Sequence, residues 1–259
     1  MKLCRFRLTD PASPEIHNGV IDGNRVREVE GEWPGSLTTG SRSWPLDSVR
    51  LLAPVQPSKI VCVARNYRKH AAELGNEAPQ EPLIFLKAPS SIIGPEDTIE
   101  LPPDSTRVDF EGELAVVIGK RCARLGPQDP IEPYLAGFTC LNDVTARDLQ
   151  KRDVIFGRAK GFDTFCPIGP AIETEFDWKQ ARIETRVNGE RRQQGASAEM
   201  IFPVDLLVRW ISRIMTLLPG DVIATGTPEG IAALAPGDVV EVSIEGIGQL
   251  RNPVARRHA

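Results

Sequence analysis

The stretch VDFEGELAVVIG, residues 108–119, decides the fold, because three carboxylates run directly into an apolar, β-branched strand. In one continuous strand, Asp109, Glu111 and Glu113 point to the same face with neighbouring side chains about 6.6 to 7 Å apart. Carboxylates at that spacing repel one another unless a positive charge lies between them. The pattern predicts a divalent-cation site at the start of a buried strand, or alternatively an acidic strand edge that faces solvent. Spacing alone does not select the ligands among the three.

A further acidic ligand has to come from another part of the chain, and Asp143 is a candidate. It precedes a predicted helix over residues 144–152, where a side chain at the helix start can project outward and bind a cation. The alternative is that Asp143 caps this helix and pairs with Arg147 at i, i+4. The local sequence favours the capping alternative.

Two other places carry groups with potential chemistry. His70 and Glu73 are three residues apart on a short helix predicted over residues 67–74, so they share a face and form a potential general-base pair. An ordinary surface helix is the alternative that the spacing alone favours. Lys160 lies among small residues and is a candidate contact for a substrate carboxylate or an enolate.

The rest of the chain reads as a predominantly β, α+β protein with a few short helices. Asn188-Gly189 is a two-residue hairpin signal, and two Pro-Gly-Asp turns, at 219–221 and 236–238, each precede a β-branched strand. One clear amphipathic helix is predicted over residues 205–215, with an apolar face made of Leu207, Trp210, Ile211 and Ile214. Residues 1–55 read as a small β-rich subdomain of short strands, with turns at Asn18-Gly19 and Asp22-Gly23. Residues 56–259 then form the main domain.

Composition excludes several classes of function. The 31 basic and 35 acidic residues give a net charge of −4, which provides no footprint for nucleic acid or for an anionic membrane. The three histidines, His17, His70 and His258, are too few for a histidine-rich metal site, so a metal would have to bind carboxylates. No apolar run is long enough to span a membrane, and the charged N-terminus does not resemble a signal peptide, so we expect a cytoplasmic protein. Residues 225–230 resemble a backbone anion cradle, but they lack the Walker and Rossmann patterns.

Taken in order, eight segments resemble the fumarylacetoacetate hydrolase family over roughly residues 58–254. Their order along the chain makes the resemblance specific for the family and much less specific for the substrate. The segments that carry it are RNYRKHAAELG, EPLIFLKAPSSIIGP, VDFEGELAVVIG, NDVTARDLQ, RAKGFDTFCPIGP, TRVNGE, LLPGDVIATGTPEGI and PGDVVEVSIEGIGQLRNPV.

The resemblance implies a fold of layered mixed β-sheets, a homodimer and one Mg²⁺ or Mn²⁺ per subunit. It assigns Glu111, Glu113 and Asp143 to the metal, against the local preference for Asp143 as a cap, and it leaves Asp109 behind the ligands. It also assigns catalytic roles to His70, Glu73 and Lys160. The implied substrate-binding residues are Arg65, Lys87, Arg147, Gln150 and Thr227.

The implied substrate is a small 2-oxo acid, and no nucleic acid or membrane partner is implied. The expected reaction is metal-dependent cleavage of a carbon-carbon bond, either acylpyruvate hydrolysis or oxaloacetate decarboxylation, through a pyruvate enolate. One alternative is an isomerase or decarboxylase of catabolites such as 2-hydroxyhepta-2,4-diene-1,7-dioate. Another is a β-rich domain that binds a metal without catalysis. Phe156 and the loop near Ala232 depart from the usual family pattern, and they bear on which substrate tail is accepted.

Overall fold

The computed structural model describes residues 1–10 and 12–257, so His258 lies outside the described residues. Residues 1–55 contain five strands. Their bounds are β1 Lys2–Leu8, β2 Ile16–Asp22, β3 Arg25–Gly31, β4 Leu37–Pro45 and β5 Val49–Leu52.

The remaining elements are mostly strands, with four short α-helices between them. The helices are α1 Arg68–Glu73, α2 Arg147–Arg152, α3 Gly157–Gly161 and α4 Val204–Ile214. The strands are β6 Ile60–Ala64, β7 Leu83–Lys87, β8 Ile92–Ile93, β9 Ile99–Leu101, β10 Val108–Asp109, β11 Gly112–Ile118, β12 Leu135–Asn142, β13 Thr145–Ala146, β14 Cys166–Glu173, β15 Arg182–Val187, β16 Glu190–Ala196, β17 Val222–Ala224, β18 Val239–Ile244 and β19 Gly248–Arg256. This confirms the predominantly β, α+β class.

Two large sheets organise the protein. The larger follows the order β4-β3-β2-β1-β14-β12-β11-β17-β6-β7, and the smaller follows β16-β15-β18-β19-β9. Because β1 pairs with β14, the strands of residues 1–55 continue the main sheet. The principal apolar core fills the space between the sheets and the amphipathic helix α4, where Leu114, Leu207 and Leu250 are fully buried.

Four strand ends meet at one end of the larger sheet, and this arrangement creates the site. Gly112 at the start of β11 pairs with Asn142 at the end of the antiparallel strand β12. Ala224 at the end of β17 lies between Ala115 of β11 and Cys62 of the parallel strand β6. The chain segments that leave β6, β12 and β17 therefore emerge beside the residues that enter β11.

Most predicted elements are confirmed. The short helix that carries His70 spans Arg68–Glu73, and the amphipathic helix spans Val204–Ile214. The hairpin turns at Asn188-Gly189, where both residues have positive φ. Both Pro-Gly-Asp turns lead directly into strands. No described helix is long and apolar enough to cross a membrane.

Several local predictions are wrong. The helix predicted from residue 144 begins at Arg147, because residues 145–146 pair with β10 as a strand. The predicted turn at Asn18-Gly19 lies inside β2. On α4, Ile214 is 53% exposed, although its spacing placed it on the core face.

The strand predicted over residues 109–118 is interrupted between Asp109 and Gly112. Its two parts pair with different partners, β10 with β13 and β11 with β12 and β17. Asp109 is therefore separated from the two glutamates that follow it.

Asp148 anchors the start of α2 and provides a test of this region. Its carboxylate accepts hydrogen bonds from Ser105 Oγ at 2.6 Å and from Thr106 N at 3.1 Å. Partial burial alone would raise the pKa of Asp148, but these hydrogen bonds outweigh it and lower the pKa from 3.8 to about 2. The folded state therefore favours the ionised form, so the stabilisation is complete above about pH 4 and is lost as the pH falls towards 2.

We predict that Asp148→Asn lowers the free energy of unfolding at pH 7 by about 1 to 2 kcal/mol, because hydrogen bonds to a charged acceptor are lost. Urea denaturation at pH 7 and pH 3 measures this difference, which should shrink at pH 3. Asp104→Asn is the matched control, since Asp104 is exposed and makes no hydrogen bond within the described chain. A difference that is unchanged at pH 3 would contradict the prediction.

Candidate metal centre and catalytic pocket

Three buried carboxylates converge where β11 begins and β12 ends. Glu111 and Glu113 lie on either side of Gly112 and share a face, while Asp143 directly follows β12. Their exposed fractions are 4%, 2% and 1%, and one carboxylate oxygen of each lies within 4.8 Å of the others. The backbone fixes this arrangement, because Asp143 N donates to Glu111 O at 2.8 Å. Such an oxygen-rich cluster matches the ligands preferred by Mg²⁺ and Mn²⁺.

Two of these carboxylates are paired with buried cations. Lys160 Nζ donates to Glu111 Oε2 at 2.8 Å and to Asp143 Oδ2 at 2.6 Å. Arg147 Nη2 donates to the other oxygen of Glu111 at 2.5 Å. Lys87 Nζ donates to Asp143 Oδ1 at 2.7 Å. Asp143 thus pairs with two lysines rather than with Arg147, and its side chain does not cap α2.

Glu113 is the member of the cluster that has no cationic partner. Within the described chain no Lys, Arg or His nitrogen lies within 4.0 Å of it, and its recorded hydrogen bond comes from Gly226 N at 2.7 Å. Burial raises the pKa of Glu113 well above its ordinary value, and the charges of Asp143 and Glu111 raise it further. Burial also raises the pKa of Glu111, but there the charges of Lys160 and Arg147 outweigh it and the pKa falls below its usual range.

Asp109 lies behind the cluster and supports it indirectly. Its Oδ2 accepts a hydrogen bond from Arg147 Nε at 3.0 Å, while Arg107 binds its Oδ1 at 2.9 Å. Arg147 therefore bridges Asp109 and Glu111. The interruption of the strand at Phe110 explains why Asp109 does not join the other carboxylates.

The predicted helix α1 places His70 against the same cavity. His70 is 4% exposed, and its Nδ1 lies 3.3 Å from Glu73 Oε2. The other oxygen of Glu73 accepts a hydrogen bond from Gly230 N at 3.1 Å. Glu73 thus joins α1 to the loop that follows β17. In that loop the Gly226 and Gly230 N–H groups of the predicted anion cradle bind two carboxylates of the site itself.

A cavity of about 350 Å³ brings most of the predicted residues together. The carboxylates Glu111, Glu113 and Asp143 lie on its wall. The other predicted residues on the wall are Arg65, His70, Arg147, Gln150, Lys160 and Thr227.

Two predicted residues are not on this wall. Glu73 contacts His70 Nδ1 and does not itself line the cavity. Lys87, predicted to contact substrate, has a fully buried side chain that contacts Asp143 and the Val144 carbonyl. Its location fits a role in holding Asp143. Phe156 does line the cavity and packs edge-on against Phe85.

Other residues at the site were not identified from the sequence. Leu74, Asn76, Phe85 and Lys151 also line the cavity. Leu74 directly follows Glu73 and Lys151 directly follows Gln150, but no pattern in the sequence marks these four side chains as lining the cavity. Gln193 lies far away in the chain, in β16, and bonds to Thr227. A hairpin strand gives no signal of such a long-range contact.

The donor set fits a divalent cation. Around the cluster the four buried carboxylates, including Asp109, face three buried cations, Lys87, Arg147 and Lys160. Glu113 is the member of the four without a Lys, Arg or His nitrogen within 4.0 Å in the described chain, and a buried carboxylate without a cationic partner is costly to ionise. A cation bound to Glu111, Glu113 and Asp143 would neutralise it.

A family model described as "Fumarylacetoacetate (FAA) hydrolase C-terminal" matches residues 59–255. The chain belongs to the fumarylacetoacetate hydrolase family. A second model, "Rv2993c-like, N-terminal", matches residues 1–54. Members of this family with assigned activities are enzymes, which include tautomerases, isomerases and hydrolases.

Relatives within the fumarylacetoacetate hydrolase family match nearly the whole chain. Protein Rv2993c of Mycobacterium tuberculosis is 49% identical over 263 residues, covering 97% of this chain and 99% of the relative. The oxaloacetate tautomerase YisK of Bacillus subtilis is 42% identical, covering 83% of this chain and 76% of the relative.

Solved structures of proteins with assigned activities are also similar to this chain over its whole length. The 5-carboxymethyl-2-hydroxymuconate delta-isomerase of Mycobacterium smegmatis has a TM-score of 0.91 and 43% identity, covering 99% of this chain and 100% of the other. A maleylpyruvate hydrolase of Sphingobium, solved with manganese(II) and pyruvate, has a TM-score of 0.80 and 29% identity, and each chain is covered fully.

We predict that Glu113→Gln has opposite effects on the metal-free and metal-loaded protein. With EDTA present the variant should melt a few degrees higher at pH 7, about 2 to 4 °C for 1 kcal/mol, because its neutral amide neither buries an unpaired charge nor has to take up a proton on folding. The same argument predicts that this difference between the metal-free variant and wild type shrinks as the pH falls below 7, since the pKa of Glu113 is raised and the unfolded wild type then also carries the proton. The melting-temperature increase that Mn²⁺ produces in the wild type should disappear in the variant.

Calorimetric melting of both proteins, with EDTA and with Mn²⁺, measures both effects. Glu245→Gln is the control, because Glu245 is exposed. A variant that keeps the full Mn²⁺-dependent increase would remove Glu113 from the ligand set.

Proposed function

We propose that this protein is a divalent-metal-dependent enzyme that acts on small 2-oxo acids through an enolate. One observation carries the proposal: a buried carboxylate triad and His70, whose Nδ1 lies 3.3 Å from Glu73 Oε2, line the same cavity. The triad suits a cation that stabilises negative charge, and the pair suits proton transfer. Both functions are needed to form and collapse an enolate.

Glu111, Glu113 and Asp143 would hold Mg²⁺ or Mn²⁺. When bound, the cation supplies positive charge that stabilises the developing negative charge of the enolate. Arg147 and Lys87 keep the carboxylates of Glu111 and Asp143 oriented. Lys160 adds a second positive charge at the same place, and its ammonium lies 4.9 Å from the centre of the Phe85 ring.

His70 is placed to move the proton. An ionised Glu73 can only accept hydrogen bonds, so the hydrogen of His70 resides on Nδ1 and the lone pair is on Nε2. Nε2 has no hydrogen-bond partner within the described chain. We assign Nε2 as the base that takes the proton from C3 of the substrate, or from water in a hydrolytic reaction.

The substrate carboxylate would bind cationic and polar side chains on the pocket wall. Arg65 is held in a left-handed backbone conformation with φ of 56° and contacts Asn76 Oδ1 at 3.2 Å. A non-glycine residue adopts this conformation at an energetic cost, which is typical of functional sites. Gln150 and Arg147 are the other proposed contacts of this carboxylate, and the cations among these residues suit an acid with two negative charges. Thr227 is a proposed contact of another part of the substrate.

Oxaloacetate is the first substrate to test, because a relative carries the name oxaloacetate tautomerase. All three candidate reactions pass through an enolate: that of oxaloacetate in tautomerisation, and that of pyruvate in decarboxylation of oxaloacetate and in cleavage of an acylpyruvate. One site that stabilises an enolate could therefore serve any of them. Acylpyruvate hydrolysis is the second candidate, and the orientation of His70 by Glu73 favours it, since that pair can activate water. Isomerisation of 2-hydroxyhepta-2,4-diene-1,7-dioate, the reaction named for a structural neighbour, requires the proton transfer without water attack. We further propose that the enzyme is a cytoplasmic homodimer.

The metal requirement is tested by ultraviolet assays of oxaloacetate tautomerisation and of pyruvate release from oxaloacetate and acetylpyruvate. We predict that EDTA abolishes turnover, that Mg²⁺ or Mn²⁺ restores it, and that Glu111→Gln is inactive while folded. Free metal ions without protein, and Glu245→Gln, are the controls. EDTA-insensitive turnover would refute the metal mechanism, and absence of turnover despite tight metal binding would favour a non-catalytic domain.

The proton-transfer assignment is tested with His70→Asn. We predict that kcat falls by about 10² to 10⁴, the usual contribution of a general base, whereas Mn²⁺ affinity stays within about twofold. Solvent deuterium enters the product in all candidate reactions, but oxygen-18 from water enters only in hydrolysis. A variant with wild-type kcat would remove His70 from catalysis.

A further inference from the structure

Gln193 is a buried side chain of the second sheet that reaches the candidate site. It is 1% exposed, and its amide makes three hydrogen bonds to the structure around the carboxylate triad. Gly112 N donates to Oε1 at 3.0 Å, and Nε2 donates to Thr227 Oγ1 and to Pro228 O, both at 2.8 Å. Every contact joins β16 to a segment next to the proposed metal ligands.

These contacts determine the orientation of the amide without ambiguity. The Gly112 N–H can only donate and the Pro228 carbonyl can only accept, so the oxygen must face Gly112 and the nitrogen must face Pro228. The Thr227 hydroxyl therefore accepts a hydrogen bond from Gln193. Its own hydrogen is donated to Gly112 O at 2.9 Å.

The contact lies at the centre of the site. Gly112 separates Glu111 from Glu113, and the residue before Thr227, Gly226, binds Glu113 Oε2 through its N–H. β11 and the second sheet approach each other closely at Gly112. A Cβ atom at this position would lie only 2.1 Å from Thr185 Oγ1 of β15. Gln193 thus links the strand that carries both glutamates to the loop that contacts one of them.

We propose that Gln193 is a positioning residue of this site, which holds β11 against the loop after β17 and fixes the Thr227 hydroxyl as a hydrogen-bond acceptor towards the ligand. With its hydrogen donated to Gly112 and one lone pair bound to Gln193, Thr227 Oγ1 has a single lone pair left. A ligand group that reaches this oxygen must donate a hydrogen bond, as an enol or a 2-hydroxyl group does. A 2-oxo or carboxylate oxygen does not fit this position. The inference rests on the proposed metal-dependent function.

The positioning role is tested by Mn²⁺ titration followed by electron paramagnetic resonance. Gln193→Met keeps the length of the side chain but removes all three hydrogen bonds, and we expect Mn²⁺ affinity to fall about tenfold. Gln194→Met is the matched control, because Gln194 is the next residue of β16 and is exposed; it should bind Mn²⁺ like the wild type. Equal affinity in all three proteins overturns the positioning role but leaves the proposed function standing. A wild type that binds no Mn²⁺ overturns both.

The acceptor assignment is tested with pyruvate and lactate, which differ only in a 2-oxo against a 2-hydroxyl group. Calorimetry of the Mn²⁺-loaded protein measures both dissociation constants. We expect Thr227→Val to raise the dissociation constant of lactate about fivefold, the contribution of one neutral hydrogen bond, and that of pyruvate less than twofold. Thr227→Ser should keep the wild-type ratio of the two dissociation constants. Gln193→Met should shift the ratio towards pyruvate, because the freed hydroxyl can rotate and donate, and Gln194→Met should not.

A purely structural role for Gln193 would weaken both ligands equally, so an unchanged ratio in Gln193→Met overturns the acceptor assignment. Equal losses for the two acids in Thr227→Val, or a wild type that does not bind lactate, overturn it as well. If Gln193→Met does not fold, Thr227→Val and Thr227→Ser still test the acceptor assignment, because they change the hydroxyl that Gln193 contacts.

Discussion

The site depends on the neutralisation of buried negative charge. Glu111, Glu113, Asp143 and Asp109 are all nearly inaccessible to water, and isolated buried carboxylates would be too costly to ionise. Four cations pair with this group, the buried Lys87, Arg147 and Lys160 and the more exposed Arg107, and all of their ion pairs are with Glu111, Asp143 and Asp109. The chain leaves Glu113 without such a partner, so the protein provides a position for one more positive charge. The proposed metal-binding site is at this unpaired carboxylate.

The β framework makes that arrangement possible. Antiparallel pairing of β11 with β12 brings Glu111 and Glu113 next to Asp143, although about thirty residues separate them in the chain. The parallel pairing of β17 with β6 places the loop with Gly226 and Thr227 beside the segment that leads to His70. Backbone hydrogen bonds from Gly226 and Gly230 then hold the carboxylates of Glu113 and Glu73. The strand pairings thus bring groups from distant segments of the chain around one cavity.

Sequence patterns predicted several of the strands, the helices α1 and α4 and the hairpin, because their periodicity and turn residues are local signals. The same local reasoning was wrong for Asp143, which looked like a helix cap but bonds to Lys87 and Lys160. It also extended one strand through Phe110, where the chain changes partners. Before Phe110 the chain pairs with β13, and after it the chain pairs with β12, so tertiary pairing overrides the local strand propensity there. The resemblance to a family, rather than spacing, was what separated Asp109 from the three proposed ligands.

By itself the sequence determined the β-rich class, the acidic segment at residues 109–113, the placement of His70 and Glu73 on one face of a short helix, and the family. These features depend on residues close together in the chain or on motifs in a characteristic order. Only the tertiary structure decided that Lys87 lies behind Asp143, that Glu113 lacks a cation, and that Gln193 reaches Thr227. Those facts depend on contacts between distant strands, and a hydrogen bond between residues 34 positions apart leaves no periodic trace in the sequence.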